Sequence, residues 1–400
     1  MNKKTKEVIM TDKTKNQKMW SKADLKKLKK IYPVMPTNEV AKELGRTVSS
    51  IEAKSGRLKL KKIYRKPNTV EDMVEAEKIK MDKGAQSKMI NELVKQRAEM
   101  EVVVDILKEI TPVIKFKPKK LVKQKLSDDH EEVVILNLGD AHFGRYTPDR
   151  MEEKVGELYK TVSKVVAIHR SAYKIKTLVI NMIGDMVDGE GIYSSQSHEQ
   201  KFYLMEQMYS YGSPMICNLL NQLSDEFEEI VINTVPGNHG RSGTSRSNNP
   251  NVKLNYDTIF YEQLKAMTAS NPRIKWNITW DWYQVVDIMG WSFMLHHGDK
   301  IRSWMNIPFY GIINKGMRWK GSLPEEWDYM FMGHFHTTHE LKWNDFRIYG
   351  GGTWLDNDKF ALGELGMDSA TEQTMFGLTK KRGITWKYNI DLTNGRKVRK

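Results

Sequence analysis

Apolar residues recur at two different spacings along this 400-residue chain. Between residues 19 and 62 they return every three or four positions: Trp20, Leu25, Leu28 and Ile31, then Val40, Ala41 and Leu44, then Val48, Ile51 and Leu58. That spacing lines one face of a helix, so three short helices are predicted. Ser21 is placed to cap the first, Thr37 or Asn38 the second, and Gly45 to close the second. The pattern stays helical from Val70 to Ile110, with Met89, Leu93, Met100, Val103 and Leu107 near one stripe and Gly84 as a break. Because no heptad is sustained there, an oligomerising helix and a solvated spacer both fit.

Beyond Glu132 the spacing changes. The runs VVILNLGD, TLVINMIGD, EIVINTVPGNH, SFMLHHGD and YMFMGHFH are short, apolar and terminated by polar residues. Helical stretches lie between them, around Glu152 to His169 and Phe202 to Leu223. Apolar strands alternating with helices predict an α/β architecture whose chemistry sits at the carboxyl ends of the strands.

Charge divides the chain further. The formal charge is +14, and residues 1–66 alone hold 20 Lys and Arg against 6 Asp and Glu, while residues 131–400 hold 31 against 32. A basic head on a near-neutral body is the footprint of polyanion binding, a solvated lysine tail being the plainer explanation. Six lysines between Lys115 and Lys125 carry no acid among them and read as a linker. Three regions follow: a basic head over 1–66, a helical and Lys-rich linker over 67–130, and a catalytic half over 131–400. The single cysteine, Cys217, excludes an intrachain disulfide and a cysteine zinc cluster. No run of ~18 uncharged apolar residues is present, so no membrane partner is expected and the location expected is cytoplasmic.

Each of the five strand ends delivers residues able to hold a divalent cation. They are Asp140 and His142, Asp185 and Asp188, Asn238 and His239, His296 and His297, and His334 and His336. Any one of these could cap a helix or satisfy a carbonyl. Five in succession at strand ends make that reading improbable. Strand alternation sends His296 and His297 to opposite faces, so only one of them can reach the centre. His339 is expected in the following loop, and His198 is a weak candidate for supporting the site.

The order Asp-x-His, Gly-Asp-x-x-Asp, Gly-Asn-His, His-Gly-Asp, Gly-His-x-His resembles the calcineurin-like metallophosphoesterases over most of Val133 to His339. The resemblance implies a β-sandwich flanked by helices and a two-metal site. One ion would take Asp140, His142, Asp185 and His336, the other Asp185, Asn238, His297 and His334, with Asp185 as the bridge. Manganese is expected, with zinc or iron as alternatives. By the same analogy His239 donates a proton to the leaving oxygen, held by Asp188. Two departures stand out. Gly189 replaces the arginine of the serine/threonine phosphatase branch, and Gly240 replaces the acid that usually follows Gly-Asn-His.

Residues 20–62 resemble the Myb-like helix-turn-helix modules fused to phage and bacterial nucleases. This implies a small all-α DNA-binding domain whose recognition helix runs from Thr47 to Arg57, with Ser49, Ser50, Lys54 and Arg57 facing the groove and Arg46 gripping phosphate. The catalytic half resembles phage proteins similar to the nuclease subunit of bacterial double-strand-break repair exonucleases. The function expected is a metal-dependent DNA nuclease, exonuclease before endonuclease, with Arg241 as a further phosphate contact. If the chain is phage-encoded, its compartment is the bacterial host cytoplasm. DNA is the partner expected, with a homo-oligomer or a nuclease-complex subunit engaged through the helical segment. The alternatives are a phosphatase or cyclic-nucleotide phosphodiesterase tethered to DNA, and a DNA-binding protein with a vestigial catalytic domain.

Overall fold

The computed structural model describes residues 20–61, 108–117, 130–145, 151–193, 200–242, 252–302, 307–356 and 371–393, with isolated positions between them. The chain divides into two compact units, Met1–Gln96 and Arg97–Lys400. Most of the helical segment expected over 70–110 lies outside the described residues, as does His198. Among the described residues no helix is long and apolar enough to cross a membrane.

Residues 20–61 of the first unit form three helices: α1 (Lys22–Ile31), α2 (Thr37–Glu43) and α3 (Val48–Arg57). Their apolar faces meet in a small core of Leu28, Val40, Ala41 and Ile51. Ser21 and Thr47 cap α1 and α3, their hydroxyls accepting from the amides of Asp24 and Ser50. Neither Thr37 nor Asn38 caps α2: Pro36 takes that position, and its carbonyl accepts from Glu39 and Val40 at 3.0 Å each. Gly45 turns left-handed at φ 58° behind α2, as a helix end requires. Arg46 departs from the expected phosphate grip. Its guanidinium lies 4.0 Å over the Trp20 ring and 2.9 Å from Asp24, with its side chain 5 % exposed. It ties the helices together from inside, and holds the Asp24 carboxyl below its ordinary range. Ser49 and Arg57 are exposed on α3, Ser50 and Lys54 half-buried.

In the second unit, two sheets stack face to face. The first has the order β11-β10-β1-β2-β3-β4, with β1 (Glu131–Leu138), β2 (Lys174–Ile183), β3 (Glu229–Val235) and β4 (Ile274–Ile278) parallel, and β10 (Glu372–Thr379) and β11 (Gly383–Asp391) added antiparallel. The second has the order β5-β6-β7-β9-β8, built from β5 (Tyr283–Ile288), β6 (Trp291–His296), β7 (Tyr329–Met332), β8 (His339–Trp343) and β9 (Phe346–Gly350). Between the sheets, Ile135, Val179, Ile183 and Val235 meet Phe293, Leu295, Phe331 and Tyr349. The outer face of the first sheet is covered by α4 (Met151–His169), α5 (Gly212–Leu223) and α6 (Tyr256–Met267), and that of the second by α7 (Pro308–Lys320). This is the α/β class expected, a two-sheet sandwich with helices on both sides.

The sequence pattern predicts five of these strands, β1, β2, β3, β6 and β7, and misses the other six. β5 and β6 form a hairpin through Met289 and Gly290, both left-handed. Ile114 and Lys119, expected in the linker, lie against the rest of the second unit: Ile114 N–H donates to Met267 at 3.3 Å, and Lys119 pairs with Asp225 at 2.7 Å.

Register in the parallel sheet is marked by a row of asparagines. Asn137, Asn181, Asn233 and Asn277 stand opposite one another on β1 to β4, and the side-chain amides of the last three donate to the carbonyl of the asparagine before at 2.8 to 3.0 Å. A one-residue slip would strand all of these polar groups in the core. Asn233→Ala removes two of the bonds and leaves a carbonyl and an amide without partners, which costs on the order of 2–3 kcal/mol. Urea denaturation checks this, the conservative Asn233→Gln serving as comparison.

Candidate metal centre

All five polar clusters sit where strands end: after β1, β2 and β3 of the first sheet and β6 and β7 of the second. The backbone there is unusual. Asp140, His142, Asp185, His334 and His336 have φ between 46° and 75°, a left-handed conformation that non-glycine residues seldom adopt. The turns are stitched to one another through main-chain bonds. Asp140 N–H donates to Gly184, His142 to Asp185 and Phe143 to Met186, at 3.0 to 3.1 Å. His334 N–H donates to the Asp140 carboxylate, 3.1 Å from both oxygens.

Among the described residues three groups of donors result. Asp140, His142 and His336 form one, Asp185, His297 and His334 a second, and His142, Asp185 and His239 a third that links them; within each, the donor atoms lie within 4.8 Å of one another. In the first, the Nε2 atoms of His142 and His336 face each other at 3.2 Å, and His336 Nε2 is 3.2 Å from Asp140 Oδ1. In the second, His297 Nδ1 donates to the Ile183 carbonyl at 2.8 Å, which turns Nε2 toward Asp185 Oδ2 at 2.9 Å. Asn238 Nδ2 donates to the Tyr193 hydroxyl at 2.7 Å, leaving the buried Oδ1 with no hydrogen bond. Buried acceptors without donors, converging beside carboxylates, are what a cation needs. The residues therefore fit divalent metal ions.

His239, in the third group, also has hydrogen-bond partners of its own. Its N–H donates to Asp185 Oδ1 at 2.7 Å, and its Nδ1 lies 2.6 Å from Asp188 Oδ1. Asp188 is fully buried and serves both histidines, since His142 Nδ1 is 3.2 Å from its other oxygen. Burial opposes its charge, yet His142 and His239 hold the carboxyl well below the usual range.

Arg145, Asp257 and Tyr193 escape sequence reading. Arg145 Nε reaches Asp188 at 3.2 Å and its Nη2 comes within 3.4 Å of His239. Asp257, in the first turn of α6, accepts from the amides of Asp185, Met186, Val187 and Gly237 at 2.8 to 3.1 Å. Burial and the Asp185 charge push its carboxyl up to about 7, against the pull of these amides. The motif Gly-Arg after Asp-x-His could have flagged Arg145; nothing local marks Asp257, whose role depends on where α6 packs.

Two expectations change, those for Arg241 and His339, while His296 lies as alternation expected. Arg241, expected to contact phosphate, is paired with Asp299 through its guanidinium, so its charge is already met. His339 begins β8, with Nδ1 2.9 Å from the Thr337 carbonyl. His296 turns away from His297 and packs between Trp282 and Trp319, at 5.2 and 4.7 Å between ring centres.

No protein-family model and no curated protein matches the chain. Among solved structures it is similar to an archaeal phosphodiesterase, at 12% identity over 64% of this chain and 99% of that one, with a TM-score of 0.32. It is similar also to the Vps29 protein of Cryptosporidium parvum, at 15% identity over 65% and 99%, TM-score 0.32. A putative 5'-nucleotidase from Staphylococcus aureus is 11% identical over 66% and 54%, TM-score 0.34. Likenesses this distant leave function to the side chains.

The centre's electrostatics set a pH dependence for the metal-free chain. Burial pushes His334 down to about 4 and His296 to about 3, and lowers His142. For His297 burial is outweighed by Asp185, which raises it to about 10. In acid, the unfolded chain takes up protons on the first three that the folded chain refuses, so stability falls below about pH 6.5. His297 works oppositely: its contribution is complete below about pH 6.5 and is lost as pH rises toward 10. Stability of the chelator-treated protein is expected to peak near neutrality in urea titrations across pH 5 to 9, and a monotonic profile would contradict these assignments.

Proposed function

We propose that the chain is a metal-dependent DNA nuclease, an exonuclease rather than an endonuclease, acting at a dinuclear centre. The observation that carries the chemistry is the convergence of buried donor groups, linked through His142, Asp185 and His239, beside an imidazole bound to a buried carboxylate. Asp140, His142, Asp185 and His336 would hold one ion, and Asp185, Asn238, His297 and His334 the other. Bound there, the ions supply Lewis-acid activation of the phosphoryl group and of the attacking water. Manganese suits the mixture of imidazole, carboxylate and amide donors, and metal analysis distinguishes it from zinc and iron.

The protein's own part is orientation and proton transfer. Asp188 fixes the His239 ring through Nδ1, so Nε2 is the atom that gives a proton to the departing oxygen. Tyr193 fixes the Asn238 amide so that oxygen, not nitrogen, faces the centre. Support for DNA comes from the basic excess confined to residues 1–66 and from a three-helix unit with Ser49 and Arg57 exposed on its third helix.

His239→Asn is expected to lower turnover about 10²- to 10⁴-fold while manganese content stays that of wild type. Loss of an ion in that variant would make His239 a ligand instead. With manganese, the purified protein should degrade end-labelled single- or double-stranded DNA as well as a generic aryl phosphodiester. Hydrolysis of the aryl ester without DNA cleavage would redirect the assignment to a small phosphodiesterase. Deleting residues 1–66 should weaken DNA binding and flatten its salt dependence, and leave aryl-ester hydrolysis within about twofold.

A further inference from the structure

Gly240 occupies the position where an acid was expected, and the space in front of it is already filled. A Cβ on Gly240 would lie 2.4 Å from Asn255 Oδ1 and 3.2 Å from the Asp257 carboxyl carbon. Both neighbours come from the start of α6, about fifteen residues further along the chain. Asn255 caps that helix by accepting from Asp257 N–H at 2.9 Å, and its Nδ2 donates to the Gly237 carbonyl at 2.7 Å. Asp257 then spans two turns. Oδ2 accepts from Asp185 at 2.9 Å and Gly237 at 2.8 Å, Oδ1 from Met186 at 3.0 Å and Val187 at 3.1 Å.

We propose that Asp257 is the positioning residue of the centre, supplying from α6 the carboxylate that Gly240 lacks and setting Asp185 against the Asn238 and His239 turn. The reasoning is geometric. Asp185 is left-handed, and four consecutive or facing amides need an acceptor that is fixed, buried and divided between two oxygens. A carboxylate meets that need; an amide side chain would place two donors against donors. The packing of Gly237 closes the arrangement, because a Cβ there would come 2.1 Å from Asp185 Oδ1. Asp185 and Asn238 are thus placed by one side chain that touches neither substrate nor ion.

This role rests on the metal reading above, and the test separates the two. Titration calorimetry with manganese and steady-state hydrolysis of bis(p-nitrophenyl) phosphate are compared for the full chain, Asp257→Asn, and Tyr261→Phe. Tyr261→Phe is the control for general destabilisation, since it removes a bond from the same helix to the Val235 carbonyl. Asp257→Asn is expected to weaken the second manganese equivalent at least tenfold and to lower kcat 10- to 100-fold, with KM changed less than threefold. Tyr261→Phe is expected to keep both. If Asp257→Asn loses thermal stability but binds two equivalents as wild type does and turns over normally, the residue is structural and the proposal fails. A wild-type chain that binds no manganese overturns the metal reading itself.

Discussion

The centre depends on holding five strand-end residues in a backbone conformation they would not choose. Each left-handed non-glycine residue costs about 1–2 kcal/mol, so the five together cost on the order of 5–10 kcal/mol, the size of a domain's whole net stability. No single turn could bear that alone. The turns instead share the cost: those after β1 and β2 exchange main-chain bonds, the one after β7 donates to the Asp140 carboxylate, and those after β2 and β3 meet at Asp257. Strain at each turn is offset by bonds to the next, and side chains from both sheets are thereby aimed at one volume.

The same crowding governs the electrostatics. Asp140, Asp185 and Asp188 are buried within reach of five histidines, an arrangement whose desolvation cost is met only by pairing. Without ions the pairing falls to protons, which is why Asp185 drives His297 far up while neighbouring imidazoles are driven down. Cations in the two donor groups would replace those protons. Folding and metal binding are therefore linked through the same side chains.

The legibility of the sequence follows from this physics. Strand ends that must present ligands carry them as short contiguous motifs, so Asp140, His142, Asp185, Asp188, Asn238, His239, His297, His334 and His336 could be singled out without a structure, and the structure brings them together. Supporting groups are chosen by packing, and packing is not local. Asp257 and Tyr193 act on residues dozens of positions away, and Arg46 proved internal because Trp20 and Asp24 fold over it. Edge strands β4, β5 and β8 were missed for a related reason: half-exposed faces blur the alternation that identifies a strand.

Charge distribution sets how the two halves can cooperate on a polyanion. With the excess confined to residues 1–66, the DNA-nuclease reading proposed above would leave residues 131–400 with almost no net attraction for a polyanion, and long-range steering would fall to the head. A near-neutral catalytic surface has a kinetic merit in our reading. Hydrolysis leaves a product still bearing its charge, and a strongly basic cleft would hold that product as firmly as the substrate. On that reading, separating capture from chemistry would let the affinity of one and the turnover of the other vary independently.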